Sequence, residues 1–271
     1  MKLSRCKRKN IKLFRISHPG DAWDWVDWQW TGAERFDDPK AEYRVLYTGK
    51  TLRACLLEVL AHFRPDPALV ADMEDIVEDD NATLTAPAGE IGYEWAADRR
   101  IGTAHATAHT CVVTEAETIA WLRATLKMPG LDAAMLKDAR ERKVTQAVSR
   151  ALFEETACDA LEYRSRHGDS EQLWAIYERE PNARAACLSR CETLPFEPAH
   201  PDVVNVFKLF GLTWKAVTVP AVEDLPIPVA TTSVEEFYAK AFPETNGVPT
   251  PMTALGCAWL WLDALDQGDE T

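Results

Sequence analysis

The sequence predicts a mixed α/β (α+β) fold, and three observations support this prediction. Six short stretches have the apolar content or the alternation of apolar and polar residues that is typical of strands. Three longer stretches between them repeat apolar residues with the period of a helix. The chain has 271 residues, 46% of them hydrophobic, which is enough to bury a sizeable core.

The first two predicted strands lie in the N-terminal part of the chain and lead into a helix. Residues 11–16 alternate apolar and polar side chains, and residues 44–48 form a second strand that Gly49 closes. Thr51 is a suitable N-cap for the helix, which ends before Pro65. The core-facing positions of this helix recur with helical spacing and are Leu52, Cys55, Leu56, Val59, Leu60 and Phe63.

This predicted helix carries a single carboxylate. Glu58 is the only acidic residue from Tyr43 through Arg64, although the chain contains 43 acidic residues. At about 100° per residue, Glu58 falls off the apolar stripe, on a side where its neighbours are small or uncharged. The pattern fits a functional carboxylate, and it also fits a surface residue that is solvated or paired with Arg53 or His62.

The remaining predicted elements follow from the same two periodicities and from turn residues. In chain order they are a strand leading into an acidic run at 68–80, a strand at 110–114, helices at 115–126 and 132–156, and strands at 159–165 and 172–178 around a turn at 166–169. Thr114 is expected to cap the first of these helices. After Glu180 the chain becomes rich in proline. We therefore predict one domain over residues 1–185 and a C-terminal extension of unknown role over residues 186–271.

Composition limits the class of protein and its partners. The formal net charge of −13 disfavours nucleic acid as a direct partner, because phosphate binding needs a concentrated basic surface. No apolar run reaches the roughly 18 to 20 residues that a membrane span needs. The seven cysteines are odd in number and lack the spacing of a zinc site. We expect reduced thiols, no metal, no membrane contact and a cytoplasmic location.

Motifs of several common enzyme classes are missing from the sequence, namely GxGxxG after a strand, GxxxxGK[ST], HExxH and GxSxG. Several stretches instead resemble the RES domain family, which is named for its arginine, glutamate and serine. They are "LFRI", "ERF", "VLYTGKTLRACLLEVLAHF" and "DALEYRSRHG" followed by "LWAIYE". The resemblance covers about residues 11–180.

The resemblance implies both a fold and a function. The fold is similar to that of ADP-ribosyltransferase toxins, and the function is that of a toxin in a toxin–antitoxin pair that degrades NAD+ as its substrate, without a further cofactor. Residue by residue, the resemblance implies that Arg35, Glu58 and Ser165 are catalytic and that Tyr47 binds NAD+. Arg15 of "LFRI" competes with Arg35 as the arginine that binds the diphosphate. The implied partner is an antitoxin of the helix-turn-helix type. The resemblance implies that this antitoxin, and not the chain itself, would bind nucleic acid.

These side chains suit the chemistry of NAD+ cleavage. Breaking the bond between nicotinamide and ribose passes through an oxocarbenium-like state, as in glycoside hydrolysis. An isolated carboxylate such as Glu58 can hold the ribose 2'-hydroxyl and stabilise the developing positive charge. An arginine offers a planar, permanently charged fork to the diphosphate, Tyr47 can stack on a ring of the substrate, and Ser165 can orient the ribose or the carboxamide. Water, phosphate or a protein side chain is the acceptor.

Several alternatives remain open at the level of sequence. A protein acceptor would make the chain a mono-ADP-ribosyltransferase, and a RES-like domain without activity would be a binding subunit. Four tryptophans between aspartates would also suit a carbohydrate-binding module, although such residues more often belong to a core: Trp23, Trp25, Trp28 and Trp30. His62 and His167 lie beside motif residues as candidate hydrogen-bond donors or as structural histidines. The C-terminal segment packs on the domain, joins copies of the chain or receives the antitoxin.

Overall fold

The computed structural model describes residue 3 and residues 5–65, 89–137 and 142–215. By its contacts the chain forms two compact units, residues 1–62 with 99–209 and residues 63–98 with 210–271. Helices and strands are both present, as the mixed fold class predicted. Within the described ranges, no helix combines the length and apolar character that a bilayer span requires.

The strands and helices are numbered here in chain order. The strands are β1 (Arg5–Ser17), β2 (Val45–Gly49), β3 (Glu90–Ile91), β4 (Arg100–Val112), β5 (Ala160–Ser165), β6 (Gly168–Tyr177), β7 (Leu188–Pro195) and β8 (Thr213–Trp214). The α-helices are α1 (Leu52–Leu60), α2 (Tyr93–Ala97), α3 (Ala116–Leu126), α4 (Ala133–Lys137), α5 (Arg142–Glu155) and α6 (Pro201–Phe210). Short 3-10 helices cover Trp28–Trp30 and Ala61–Phe63.

The first unit is built on a six-stranded sheet in the order β1-β2-β6-β5-β4-β7. Strand β1 also pairs with β4, so that β1, β2, β6, β5 and β4 form a closed ring of pairings. All pairings are antiparallel except β4 with β5. Strands β5 and β6 form a tight hairpin, in which Tyr163 faces Leu173 and Ser165 faces Gly168. This hairpin places the end of β5 next to the start of β6.

Alternate residues of these strands enter two different cores, because successive side chains of a strand point to opposite faces. The helix-side core contains Tyr163, Leu173 and Ala175 together with buried residues of α3 and α5. The tryptophan core contains Trp23, Trp174 and the alanines of β4. The sheet is therefore covered by apolar side chains on both faces where these residues lie.

The tryptophan stretch divides between core and surface. Trp23 is fully buried, and Trp25 packs against the tryptophan core. Trp28 is 41% exposed and Trp30 is 70% exposed. The interpretation of these tryptophans as core residues is therefore confirmed for two of the four. Of the four rings that could have formed a carbohydrate-binding surface, those of Trp28 and Trp30 are exposed.

The sequence predicted only the C-terminal end of strand β4. A strand was expected only at 110–114, whereas β4 begins at Arg100. Its first ten residues are mostly glycine, alanine, threonine and histidine, which lack the β-branched apolar signal of a strand. Pairing with β1 along one edge and with β7 and β5 along the other stabilises them as a strand. The cap of α3 also differs from the prediction, because Glu115 takes the N-cap position instead of Thr114.

The predicted helix at 132–156 is represented by α4 and α5. Residues 138–141 between them lie outside the described residues, as do residues 68–80 with their predicted strand and acidic run. The boundary predicted after residue 185 comes just before β7, which pairs with β4 in the main sheet. Of the predicted extension over residues 186–271, residues 186–215 are described.

The expectation that all cysteines are reduced is wrong for one pair. Cys111 on β4 and Cys158 before β5 form a disulfide, with their Cα atoms 6.3 Å apart. They are separated by 47 positions in the sequence and are brought together by the parallel pairing of β4 with β5, which the cysteine spacing could not indicate. The free thiols in the described part of the chain are Cys6, Cys55, Cys187 and Cys191.

The second unit is described for residues 63–65, 89–98 and 210–215. Strands β3 and β8 form a two-stranded parallel sheet, in which Ile91 faces Trp214. Tyr93 of α2 stacks on Trp214, with ring centroids 5.0 Å apart. Aromatic residues of this unit thus pack on one another in the part that is described, since Phe63 also contacts Trp95 with ring centroids 5.9 Å apart.

Candidate active site

Helix α1 presents Glu58 as the sequence predicted. The Thr51 hydroxyl accepts a hydrogen bond from the backbone N–H of Ala54 at 3.0 Å, which confirms Thr51 as the N-cap. Glu58 is half-buried and lies in the last turn of α1. Arg53, the cation that could have paired with it on the surface, forms its ion pair with Glu171 at 3.4 Å instead.

Ser165 contacts Glu58 across 107 positions of sequence. The Ser165 hydroxyl is fully buried at the end of β5 and donates to Glu58 Oε1 at 2.7 Å. The same hydroxyl oxygen accepts from the backbone N–H of His167 at 3.0 Å. Ser165 is therefore held from both sides, and the hairpin turn after β5 fixes the direction in which its hydrogen points. The structure brings these two predicted residues together.

Tyr163 is a member of this site that the sequence reasoning did not single out. It lies two residues before Ser165, so both side chains leave β5 on the same face. Burial raises the pKa of Tyr163 strongly, and the negative charge of Glu58 adds to this rise while the charge of Arg35 opposes it. The signal that was available is the spacing of two residues between a tyrosine and a motif serine on one strand.

Cys55, one turn before Glu58 on α1, is also part of the surroundings. Burial raises the pKa of its thiol to about 12, and the nearby Glu58 contributes to the rise while Arg15 opposes it. The thiol donates to the carbonyl of Phe14 on β1 at 3.1 Å. A side chain at Gly49 would place its Cβ 2.8 Å from this sulfur, so only glycine allows β2 to approach α1 here. Cys55 is thus a neutral packing residue beside the carboxylate.

Arg35 lies in the loop before β2 and is only 7% exposed. Its Nη2 donates to the carbonyl of Leu136 at 2.6 Å. The other two nitrogens of the guanidinium, Nε and Nη1, are buried and have no hydrogen-bond partner among the residues that the structure describes. Buried polar groups without a partner are rare in proteins, because leaving them unpaired costs about 1–3 kcal/mol and more for a charged group. Arg35 therefore has hydrogen-bonding capacity that the described residues do not use.

Tyr47 on β2 forms hydrogen bonds with the loop that carries Arg35, which is called the arginine loop below. Its hydroxyl donates to Asp37 Oδ1 at 2.9 Å and accepts from the backbone N–H of Phe36 at 2.9 Å. Burial raises the pKa of Tyr47 well above its ordinary value, and the charge of Asp37 adds to the effect. The ring is partly exposed, so it can still offer a face to a ligand. The hydroxyl group, however, is committed to the two residues that follow Arg35.

The same loop is tied at several further points. Asp37 Oδ2 accepts from the backbone N–H groups of Gly32 and Glu34, each at 3.0 Å. From α5, Gln146 Nε2 donates to the carbonyls of Gly32 and Glu34 at 2.9 and 3.0 Å, and Ser149 Oγ donates to the carbonyl of Phe36 at 2.6 Å. These bonds satisfy the backbone of a loop that has no regular structure, and they fix the position of Arg35.

Arg15 is the second candidate for the diphosphate and has a different environment. It lies on β1 and is 9% exposed. Its Nη1 donates to the carbonyls of Ala22 and Asp24, both in the tryptophan stretch. Burial lowers the pKa of Arg15 to about 10, and its charge lies near Cys55, Asp21 and Asp24. Arg15 therefore already has acceptors from its own chain, next to the tryptophan core.

The two histidines beside the motif residues differ in their surroundings. Burial lowers the pKa of His62, and the positive charge of Arg99 lowers it further. His167 contributes its backbone N–H to Ser165, while its side chain accepts from Arg166 Nε at 3.0 Å. His167 thus supports the serine through the main chain, a role that any non-proline residue could perform.

The sequence matches the RES domain family over residues 12–198, most of the chain. The chain belongs to the RES domain family. Its RES domain is also similar to a solved structure titled as the crystal structure of the M. tuberculosis MbcT–MbcA toxin–antitoxin complex. That comparison has 16% sequence identity and a TM-score of 0.46, and it covers 75% of this chain and 91% of the other. No curated protein matches the sequence.

The RES domain thus contains one site with two kinds of charge. Glu58 and Ser165 are hydrogen-bonded, the charge of Glu58 contributes to the raised pKa of Tyr163, and the Arg35 Cζ atom lies 5.1 Å from the centroid of the Tyr163 ring. Tyr47 joins this group through the arginine loop, whereas Arg15 lies toward the tryptophan core. In the described part of the chain, no group of three or more His, Cys, Asp or Glu side chains is arranged to hold a metal ion. The arrangement can bind an anion at one end and stabilise a positive charge at the other.

Proposed function

We propose that this RES domain degrades NAD+ by cleaving the bond between nicotinamide and ribose. The observation that carries the proposal is the environment of Arg35: two buried guanidinium donors have no partner in the described part of the chain, and the guanidinium contacts Tyr163, two residues before Ser165 on β5. NAD+ is a substrate whose diphosphate needs a cation and whose ribose, on cleavage, needs an anion. One ligand therefore matches both ends of the site.

Each residue has a defined part in this reaction. Arg35 binds the diphosphate through Nε and Nη1. Arg15 stabilises the segment near the site by donating to the carbonyls of Ala22 and Asp24. Glu58 faces the ribose, and its carboxylate stabilises the positive charge that develops as the glycosidic bond breaks. The electron pair of that bond passes to the nicotinamide nitrogen, which becomes neutral, so the leaving group needs no proton. Ser165 orients the carboxylate and contributes a polar contact beside the ribose.

Three acceptors could take the ADP-ribosyl group after the bond is cleaved, and experiment distinguishes them by their products. Water that attacks the ribose carbon and loses a proton gives ADP-ribose, and phosphate gives ADP-ribose 1''-phosphate. A nucleophilic side chain of a target protein gives a mono-ADP-ribosylated product. The last of these is the alternative function, and the site as described is compatible with it because both reactions share the same bond cleavage.

The decisive experiment follows nicotinamide release from NAD+ by chromatography, with and without phosphate. We expect release by the wild type and a decrease of about 100- to 1,000-fold in Glu58→Gln, as for the loss of one preorganised group that stabilises transition-state charge. Glu117→Gln, which removes an exposed carboxylate in the first turn of α3, is the matched control and should retain activity. Circular dichroism checks that both variants are folded.

The possible results separate the functions. Release that depends on Glu58 and increases with phosphate identifies a phosphorolytic enzyme, and release without phosphate identifies a hydrolase. No release from NAD+ alone, but labelling of protein in a cell extract with radioactive NAD+, identifies the transferase. Absence of both reactions would contradict the proposal and favour a binding subunit.

We further propose that the RES domain is the toxin of a toxin–antitoxin pair and that its antitoxin is a helix-turn-helix protein. Membership of the RES family supports this proposal. The test is expression in a bacterial host: the wild type should stop growth and deplete cellular NAD+, Glu58→Gln should do neither, and co-expression of the neighbouring gene should restore growth. Growth arrest by both forms would indicate toxicity unrelated to the site.

A further inference from the structure

The guanidinium of Arg35 is held by two aromatic rings as well as by one hydrogen bond. Its Cζ atom lies 5.1 Å from the ring centroid of Phe36 and 5.1 Å from that of Tyr163. The two rings also contact each other, with centroids 4.7 Å apart and planes inclined by 55°. Cation–π contacts at this distance hold the guanidinium without using its N–H groups. They therefore fix the side chain and leave Nε and Nη1 available.

The two rings are not equivalent, because they belong to different parts of the molecule. Phe36 is the neighbour of Arg35 and moves with the same loop. Tyr163 lies on β5, within the sheet and paired with Leu173 of β6. It is 6% exposed and belongs to the helix-side core. Tyr163 is thus the fixed point against which the arginine is placed, on the same strand as Ser165.

The Tyr163 ring is a neutral group near two opposite charges, those of Arg35 and Glu58. Buried groups of opposite charge attract each other strongly, because the local dielectric constant is low. Nevertheless Arg35 and Glu58 form no ion pair among the residues that the structure describes. Both charges act on Tyr163, in opposite directions, and burial keeps its phenol neutral. An uncharged ring therefore contacts the guanidinium of Arg35 and lies in the electrostatic field of Glu58.

We propose that Tyr163 is a positioning residue, whose ring fixes the guanidinium of Arg35 so that the unpaired Nε and Nη1 donors are directed to the diphosphate of the substrate. The inference rests on the proposed function for the identity of that substrate. It goes beyond it by assigning a role to a residue that the RES name does not include. The ring, and not the hydroxyl group, is the part that acts.

The test uses ADP-ribose, which carries the diphosphate and lacks nicotinamide, so that binding is measured without turnover. Calorimetric titration of Tyr163→Phe should give the wild-type affinity, because the ring is kept. Tyr163→Leu should weaken binding by about tenfold, the size expected from losing a buried cation–π contact that orients the arginine. Tyr177→Leu is the matched control, since Tyr177 is a buried tyrosine of the same core whose aromatic contacts are Tyr43 and Phe153.

A double-mutant cycle separates positioning from general damage to the core. In the Arg35→Gln background, Tyr163→Leu should no longer change the affinity for ADP-ribose, because the group that it positions is absent. Wild-type affinity in Tyr163→Leu would overturn the inference, as would a loss in folded Tyr163→Phe. Equal losses in Tyr163→Leu and Tyr177→Leu would also overturn it. If Tyr163→Leu does not fold, the result for Tyr163→Phe still decides.

ADP-ribose binding tests the positioning role of Tyr163, and nicotinamide release tests NAD+ cleavage, so the two proposals can fail separately. A wild type that binds ADP-ribose but releases no nicotinamide contradicts NAD+ cleavage and leaves the cycle between Tyr163 and Arg35 interpretable. A wild type that cleaves NAD+ while Tyr163→Leu binds ADP-ribose normally contradicts the positioning role alone. Failure of the wild type to bind ADP-ribose contradicts both.

Discussion

Two buried arginines of the same unit, Arg15 and Arg35, have opposite relations to their surroundings. Arg15 donates from one nitrogen to two backbone carbonyls, those of Ala22 and Asp24, which lie in the stretch that enters the tryptophan core. Arg35 donates to one carbonyl, and two of its buried nitrogens have no partner within the described ranges. The nearly equal burial of the two side chains, 9% and 7% exposed, does not distinguish them.

A third arginine shows what a fully paired guanidinium looks like in this fold. Arg44 forms a two-point pair with Glu178, with Nε 2.8 Å from Oε2, and it also donates to Asn182 and Val26. Taken together, the three arginines teach that burial and charge alone do not identify a binding residue. Among these three arginines, the number of buried donors without an acceptor in the described part of the chain is the property that distinguishes Arg35.

The largest expected effect concerns the fully paired arginine. Glu178→Gln should reduce the free energy of unfolding by about 3–5 kcal/mol, because it leaves the buried charge of Arg44 without its counter-ion. Urea unfolding at neutral pH measures this. Glu42→Gln, which removes an exposed partner of Arg150, should change stability by about 1 kcal/mol or less. Similar losses in the two variants would contradict the distinction between paired and surface arginines.

The next effect concerns Arg35 and appears in activity, not in stability. Arg35→Gln should lower kcat/KM for NAD+ by about 100-fold, since charge-assisted hydrogen bonds to the diphosphate are lost. The free energy of unfolding should stay the same or rise, because an incompletely paired buried charge is removed. A clear loss of stability with normal kinetics would show that Arg35 is a structural residue.

Arg15→Met should show the reverse pattern with a smaller effect. The carbonyls of Ala22 and Asp24 lose their donor, so the free energy of unfolding should fall by about 1–3 kcal/mol. The kcat/KM for NAD+ should remain close to that of the wild type. Kinetics and urea unfolding on the same preparation decide the matter, and a decrease in kcat/KM as large as that of Arg35→Gln would make Arg15 a second diphosphate ligand.

The smallest expected effect is on the pH dependence of stability. Burial alone would raise the pKa of Glu178, but hydrogen bonds from Arg44 and from the backbone of Asn182 outweigh it and hold the pKa below its ordinary value of 4.5. A group whose pKa is lowered by folding stabilises the folded state above 4.5, and this contribution is lost as the pH falls through the folded-state pKa. Unfolding followed from pH 7 to pH 3 should therefore show a steeper acid loss in the wild type than in Glu178→Gln. Parallel curves would contradict the assignment.

The part of the fold that could be predicted has a local physical cause. Thr51 caps α1, and the apolar stripe behind it repeats at the helical period, so both follow from neighbouring residues. Strands β2, β5 and β6 were predicted because their residues alternate or are apolar. Strand β4 was mostly missed, because its alanines, threonines and histidines become a strand only by pairing with β1, β5 and β7.

The candidate site was likewise predicted only in those features that depend on residues close together in the sequence. The sequence by itself determined that Glu58 is an isolated carboxylate on a capped helix and that the family residues Arg35, Tyr47 and Ser165 are present. Only the tertiary structure placed the Ser165 hydroxyl on Glu58 and put the Tyr163 ring against Arg35. It also separated Arg35 from Arg15, because partners that lie far apart in sequence decide which donors of a buried side chain are satisfied. Local patterns carry no information on such partners, and the fold supplies it.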